Sequence, residues 1–394
     1  MGPTPTPVSS LSSSSSRGMN TYKGKKLFTP GPLCTSPAVK QAMLVDLGSR
    51  GKQFMACTTY VRQSLLEIAQ VNPEDYTAVL LQGSGTYCVE AVLQTTSPRQ
   101  GAKVLVLVNG AYGQRMGKMC KHAGLEMTLL EFPEDQPIHV PTVERLLASG
   151  ERWTTVSIVH CETSSGVVNP VEVVGHLVRL HQPQAALIVD AMSSFGAIPV
   201  DIDGAGIDYL VSSANKCLEG VPGFSFAICR KQHLLSCQGN CRVLSLDLVD
   251  QYITFESTGQ FRFTPPTHTI VAFSTALRQY QASGGLQARA ERYKENRAIL
   301  VEGMKQLGFK QLVAEKDSGF IITSFLVPKH EKFDFKELYS KLSDKGQVIY
   351  PGKATKAECI RVGNIGHLFP EDMRHLLTCM EEVLRDMGLP IPLP

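Results

Sequence analysis

Leu187-Ile188-Val189-Asp190-Ala191-Met192-Ser193-Ser194 is the stretch around which the chain is read: an apolar strand that ends in a carboxylate. A second apolar run follows, Tyr209-Leu210-Val211, and ends in Ser212-Ser213-Ala214-Asn215-Lys216-Cys217. An acid and a lysine at the ends of two neighbouring strands suit a cofactor that carries a basic ring nitrogen and an aldehyde. The lysine can form a Schiff base, and the acid can keep the ring nitrogen protonated. Taken alone, the pair reads equally well as a helix-capping Asp190 and a solvated Lys216.

Upstream, an apolar strand over 78–81 runs into Gln82-Gly83-Ser84-Gly85-Thr86 and a helix over 87–95. Strand, glycine-rich turn and helix present backbone N–H groups and a positive helix end to a phosphate. By itself the motif reads first as a tight strand-to-helix turn. Alternation continues with a strand over 103–108 ending in Asn109-Gly110-Ala111-Tyr112-Gly113, a helix over 114–123 and a strand over 126–130. A helix over 142–148 follows, then a strand over 156–159 ending in His160-Cys161-Glu162-Thr163-Ser164-Ser165-Gly166, a helix over 171–181 and the strand before Asp190. Near-continuous apolar strands alternating with helices predict an α/β fold whose mostly parallel sheet is covered on both faces. Sites in such sheets lie at the carboxyl ends of the strands, and each of these polar clusters occupies one. Pyridoxal 5′-phosphate (PLP) is a cofactor of the required kind.

The flanks complete the layout. Pro30 and Pro32 make 26–33 extended, and Ser36 caps a helix over 36–46, with a second helix over 58–71. After Lys216, Gly220-Val221-Pro222-Gly223 is a turn into a strand over 224–229, expected as an antiparallel edge. Gln260-Phe261-Arg262-Phe263-Thr264-Pro265-Pro266-Thr267-His268 is a rigid loop opening a helix over 270–282. Gly284-Gly285 breaks the chain before a long helix over 286–307. Strands over 321–327, 347–350 and 359–362 with helices over 333–345 and 371–387 then make a small α+β unit. The expected division is an N-terminal extension over 1–20, a large cofactor-binding domain over 21–283 and a small C-terminal domain over 284–394. Arg361 lies within an apolar strand, where an arginine needs an anionic partner. A structural ion pair and a substrate-binding role account for it equally well.

Composition narrows the class. A net charge of +3 over 394 residues and the lack of any basic run with interleaved aromatics argue against a nucleic-acid partner. No apolar run approaches the roughly 20 residues of a membrane helix. The 11 cysteines are scattered through apolar segments, which reads as reduced thiols in an intracellular protein rather than a disulfide framework. Cys237 and Cys241 lack the spacing and the second pair of a zinc ribbon, so no metal is expected. Residues 1–20 are rich in Ser, Pro and Thr, lack acids, carry only Arg17 as a basic residue and are expected to be disordered. They resemble a mitochondrial transit peptide only in lacking acids, so the cytoplasm is expected ahead of the mitochondrion.

The blocks Thr29-Pro30-Gly31-Pro32-Leu33, Leu81 to Thr86, Asn109 to Gly113, His160 to Thr163, Val189 to Gly196, Ser212 to Gly223, Gly259 to His268 and Arg361 to Gly366 follow one another as in a known family. Together they resemble the class V group of fold-type I PLP-dependent aminotransferases over nearly all of the folded chain. The resemblance implies that Lys216 holds PLP as an internal aldimine and then shuttles the proton. It implies that Asp190 pairs with the pyridinium nitrogen, that Tyr112 stacks on the ring and that Thr163 hydrogen-bonds the ring hydroxyl oxygen. Ser84, Gly85 and Thr86 are implied to hold the phosphate, with Ser193 as a further candidate. Thr264 matches the position that reaches the phosphate of a neighbouring subunit, which implies a homodimer with shared sites. Arg361 matches the arginine that binds the substrate's acidic group. The blocks Ala214 to Gly223 and Gln260 to His268 resemble the branch that pairs an aminoalkyl phosphonate with a 2-oxo acid, rather than serine–pyruvate or alanine–glyoxylate enzymes. A phosphonate calls for a second donor, for which Arg262 and Lys353 are the basic candidates. A non-catalytic scaffold has no use for Lys216, Asp190 and Arg361 together. A nucleotide-binding Rossmann protein would need a third glycine that Gly83-Ser84-Gly85-Thr86-Tyr87-Cys88 lacks.

Overall fold

The computed structural model describes residues 24–352, 354 and 357–394. The expectations for residues 1–20 and for Lys353 lie outside the described residues. Seven strands form the main sheet: β1 (Tyr76–Gln82), β2 (Lys103–Val108), β3 (Glu126–Glu131), β4 (Thr155–Val159), β5 (Ala186–Asp190), β6 (Tyr209–Ser213) and β7 (Phe224–Arg230). Their order is β1-β7-β6-β5-β4-β2-β3. The strands β2 to β6 run parallel to one another, and β7 runs antiparallel to both β6 and β1. β1 therefore points the same way as the parallel strands, and all six carboxyl ends lie along one rim.

Strand β7 corrects one expectation. It is antiparallel, as the missing crossover helix requires, but it is interior rather than an edge. Its run Phe224 to Cys229 is buried throughout and pairs on both sides, with Phe226 opposite Leu80 on one flank and Ser212 on the other. A strand apolar on both faces belongs inside a covered sheet.

Helices cover the sheet: α1 (Lys52–Ala69), α2 (Gly85–Thr96), α3 (Ala111–His122), α4 (Val171–His181), α5 (Leu248–Thr258) and α6 (Thr267–Ala282). Their apolar faces and the strands form one continuous core that includes Leu65, Leu80, Val106, Ile188, Phe226 and Phe273. The expected helix over 36–46 is shorter. Ser36 Oγ caps it by accepting from the Val39 N–H at 3.2 Å, the helix covers Pro37–Gln41, and a 3-10 turn over Ala42–Leu44 ends it. Helix α5 is absent from the sequence reading although both of its signals are present. Asp247 caps the N–H groups of Val249 and Asp250, and Gly259 ends it in the left-handed conformation.

A second apolar cluster is built from helix α7 (Gly285–Gln306), strands β8 (Ile322–Leu326) and β10 (Cys359–Gly363), and helix α8 (Pro370–Asp386), with the short strand β9 (Tyr350–Pro351) beside β10. The expected strand over 347–350 is two pieces. Gln347–Val348 pairs with Lys26–Leu27, while β9 pairs with β10. Buried Ile349 marks the changeover.

Candidate active site

A cavity of about 300 Å³ opens at the carboxyl rim of the main sheet. Ser84, Gly85, Thr86, Tyr112, Asp190 and Lys216 all line it. Residues from four separate strand ends thus meet in one place. A larger hollow of about 850 Å³ beside Phe309 and Phe333 shares no lining residue with it and lies at the second apolar cluster, away from the carboxyl rim.

At one end, β1 passes through Gly83, at φ +107°, into α2. Ser84 is the N-cap residue, yet its side chain caps none of the helix N–H groups. At Gly85 the backbone lies close to the end of the Met192 side chain, 2.2 Å from its Sδ and Cε to where a Cβ would stand, so a larger residue would push that side chain aside. The backbone at this helix start is therefore open to an anion, as expected of a phosphate cradle. The sequence reading missed Arg115. From α3 it enters the same cavity, donates from Nη1 to Thr86 Oγ1 at 3.1 Å and lies over the Tyr112 ring, 4.8 Å from its centroid. Among the described ion pairs none involves Arg115, so a cation stands beside the cradle without a carboxylate partner.

Asp190 ends β5, in register with Val159 of β4 and Val211 of β6. Its Oδ1 accepts from the Met192 N–H at 2.9 Å. Burial pushes its carboxyl group up to about 6, against the opposing pull of that hydrogen bond and of Lys216 and Arg115. Such a carboxylate lacks a full counter-charge, and a protonated ring nitrogen would supply it.

Lys216 follows β6, and its Nζ donates to Pro30 O at 2.6 Å. The entry segment presses on it: a Cβ on Gly31 would lie 2.8 Å from the lysine Cδ and Nζ, and Gly31 sits at φ +117°. Burial holds the amine below the usual lysine range, and the charge of Arg361 acts in the same direction. Lowered basicity brings the neutral, nucleophilic form of the amine within easier reach.

Arg361, in the middle of β10, is 2% exposed. It donates from Nε to Pro351 O at 3.0 Å and from Nη1 to Thr163 O at 2.8 Å, and it hydrogen-bonds the Tyr112 side chain. Among the described residues no carboxylate forms an ion pair with it. Two carbonyls and a phenol hold it, close enough to Lys216 for each charge to affect the other. Thr163 is buried and meets Arg361 through its carbonyl, but it does not line the cavity wall. Ser193 is buried outside the cavity lining, and its carbonyl accepts from the Cys217 thiol at 3.4 Å. Thr264 is exposed in the loop before α6 and lies outside this chain's cavity. Arg262 is engaged elsewhere, donating to Asp247 O at 2.9 Å and pairing with Asp250 at 3.6 Å.

Glu162 is a second residue that the sequence reading passed over. It is fully buried and accepts from the N–H groups of Tyr112 and Ser164, each at 3.1 Å. A carboxylate at the start of α3 complements the helix dipole and fixes Tyr112 in the cavity. The signal was present as an acid between buried Cys161 and Thr163. Among the described residues no group of His, Cys, Asp and Glu is arranged to hold a metal ion, and no helix is long and apolar enough to cross a membrane.

A doubly covered sheet with a lysine and an acid at its carboxyl rim is the architecture of a PLP-binding fold, and the chain belongs to the class V aminotransferase family, whose model matches residues 40–360. Among its relatives, the 2-aminoethylphosphonate–pyruvate transaminase of Phocaeicola vulgatus is 45% identical over 91% of this chain and 99% of that one. That of Pseudomonas fluorescens is 44% identical over 92% and 97%. Among solved structures, an alanine–glyoxylate aminotransferase from Nostoc superposes with a TM-score of 0.84 at 25% identity, covering 92% of this chain and 96% of that one. A ureidoglycine–glyoxylate aminotransferase from Bacillus subtilis gives 0.85 at 22% identity, covering 94% and 95%.

Proposed function

We propose that the protein uses pyridoxal 5′-phosphate to transfer the amino group of 2-aminoethylphosphonate to pyruvate, giving phosphonoacetaldehyde and L-alanine in a ping-pong cycle. The observation that carries the chemistry is the meeting of Lys216, Asp190 and the uncapped start of α2 in one cavity. The donor set fits the cofactor: an anion cradle, a carboxylate lacking a counter-charge, an aromatic ring and an amine of lowered basicity. The substrate follows from relatives of that name, which are 44–47% identical over at least 90% of the chain.

When bound, the cofactor supplies an electron sink for the carbon that loses its proton. Each residue then has a physical task. Ser84, Gly85, Thr86 and the neighbouring Arg115 hold the phosphate. Asp190 holds the ring nitrogen in its protonated state. Tyr112 would stack on the ring, and Thr163 would hydrogen-bond the ring hydroxyl oxygen. Lys216 provides the covalent link and, once displaced, accepts a proton from the substrate carbon and returns it to the cofactor. Arg361 grips the phosphonate of one substrate and the carboxylate of the other, a task that a planar guanidinium performs for both.

Thr264 lies outside its own cavity, which supports a homodimer in which each copy lends this residue to the other's phosphate. The two apolar clusters support a large and a smaller unit dividing near 284, with the entry residues Phe28 and Cys34 packed into the second cluster rather than the first. Free cysteines throughout support an intracellular location.

The test is direct. The purified protein is yellow, and borohydride fixes the cofactor on Lys216. 2-Aminoethylphosphonate bleaches the colour in a single half-reaction, and serine does not. A colourless protein that added PLP does not restore ends the enzyme reading. Bleaching by serine alone moves the substrate assignment to the serine–pyruvate and alanine–glyoxylate branch.

A further inference from the structure

Helix α7 places Arg289, Arg292, Tyr293 and Asn296 on one face at helical spacing. That face is buried between the two halves of the site. On one side it holds the segment just after Lys216. Arg289 Nη1 donates to Cys217 O and lies 3.3 Å from Glu219 Oε1, and Arg292 pairs with the same carboxylate. The Tyr293 hydroxyl donates to Glu219 Oε1 at 2.7 Å. Glu219 in turn donates its N–H to Lys216 O at 2.8 Å. It sits at φ +58°, a conformation that costs a non-glycine residue free energy and persists only where surrounding contacts impose it.

On the other side, the same face holds the exit of the Arg361 strand. The Tyr293 hydroxyl accepts from the Gly366 N–H at 3.0 Å. The Asn364 side chain donates to Tyr293 O at 2.9 Å, and the Asn296 side chain donates to Asn364 O at 3.1 Å. Tyr293, Asn296 and Asn364 are all fully buried. One hydroxyl therefore accepts from the acid-binding segment and donates to the lysine-bearing segment. The proposed reaction needs these two segments at a fixed separation, because the substrate's amine must meet one while its acid meets the other.

We infer that Tyr293 is a positioning residue, its hydroxyl bridging Glu219 and Gly366 so that Lys216 and Arg361 are held at the spacing an anionic amine requires. This rests on the proposed roles of Lys216 and Arg361. Loss of the hydroxyl leaves both groups in place but frees their separation. A substrate that uses only the lysine is then unaffected, and one that uses both suffers.

The experiment compares holoenzyme with its Tyr293→Phe variant, alone and in an Arg361→Ala background. Three quantities are read: bleaching by 2-aminoethylphosphonate, bleaching by propylamine, which has no acid group, and the dissociation constant of unreactive ethylphosphonate by calorimetry. Tyr293→Phe is expected to weaken ethylphosphonate and to lower kcat/KM for the phosphonate amine about tenfold, leaving propylamine unchanged. In the Arg361→Ala background the same change has no further effect. Equal losses for both amines, an added loss in the Arg361→Ala background, or unchanged anion binding with only a lower melting temperature overturns the inference. If Tyr293→Phe does not accumulate as folded protein, Asn296→Ser cuts the second arm of the same link and is read identically. Wild-type protein not labelled on Lys216, or an Arg361→Ala variant that binds ethylphosphonate as before, overturns the proposed function and this inference with it.

Discussion

The cofactor end and the acid-binding end of the cavity are built in different ways. The cofactor end is assembled from strand termini. Asp190 ends β5, Lys216 follows β6, and Ser84 to Thr86 follow β1, so the sheet itself fixes their separations. The acid-binding end is stitched from remote segments. Arg361 is held by Pro351, by Thr163 and by Tyr112, and the link to Thr163 spans 198 residues of chain. A sheet rim positions groups rigidly by repeated backbone pairing, whereas a stitched contact depends on each partner separately. Substitutions at the first end should therefore abolish chemistry without disturbing the fold, and those at the second should trade binding against stability.

The sharpest way to break this contrast is Lys216→Ala. Transamination should fall by roughly four powers of ten, the size of a lost acid–base group with its covalent link. Rapid-mixing half-reactions and the loss of the borohydride adduct would show it. The melting temperature of the cofactor-free protein should stay level or rise, because a buried amine is removed. A large drop in melting temperature would mean that the rim is not rigid on its own.

Asp190→Asn comes next. About two to three powers of ten should be lost, as for other groups that stabilise charge in a reacting system. The pH dependence gives a finer test. Burial raises the free carboxyl group to about 6, so below that pH it carries a proton and cannot pair with a protonated ring. A carboxyl group raised in the folded state makes the cofactor-free protein less stable as pH rises from the ordinary carboxylate range through 6. Cofactor affinity should change in the opposite sense, weakening as pH falls below 6. Equilibrium titration of wild type and Asp190→Asn between pH 5 and 8 should show this slope only in the wild type.

At the stitched end, Arg361→Ala should weaken acid substrates by about ten- to a hundredfold, the range of charge-assisted hydrogen bonds lost from a buried site. The cofactor colour should remain. The carbonyls of Pro351 and Thr163 lose their donor, so a lower melting temperature should accompany the binding loss. A variant that keeps its melting temperature would make Arg361 independent of its neighbours and would weaken the contrast.

The same difference explains what the sequence reveals. Strands β2 and β5 are legible because they are apolar on both faces, β4 because Val156, Ile158 and Val159 are β-branched and apolar, and the polar ends of all three mark the rim. Asp190, Lys216 and the Gly83–Thr86 turn are contiguous with those signals. The interior position of β7 is not legible, because pairing with β1 joins residues far apart in sequence. Helix α5 is legible in principle from Asp247 and Gly259, but its interior mixes Thr, Ser and Asp with apolar residues and gives little period. Arg115 and Glu162 escape for a different reason. Each lies within a segment whose pattern is already explained as helix or strand end, and only the folded arrangement turns one towards Thr86 and the other towards Tyr112.

Arg115 supplies the smallest expected effect and bears on where the two ends divide. It stands on the Tyr112 ring, which is also hydrogen-bonded to Arg361, yet its own hydrogen bond is to Thr86 in the phosphate cradle. A guanidinium in that place has two anions within its chemistry, the cofactor phosphate and the substrate acid. Its contact with Thr86 favours the phosphate. Arg115→Met keeps the stem packed on Tyr112 and removes the charge. PLP affinity should weaken about tenfold, in line with one charge-assisted hydrogen bond at a partly exposed site. Binding of pyridoxal, which has the ring and aldehyde but no phosphate, should be unchanged. Titrating cofactor-free enzyme with each compound by absorbance separates the outcomes. An equal loss for both would place Arg115 at the ring, and weakened ethylphosphonate binding with PLP unaffected would assign it to the acid-binding end.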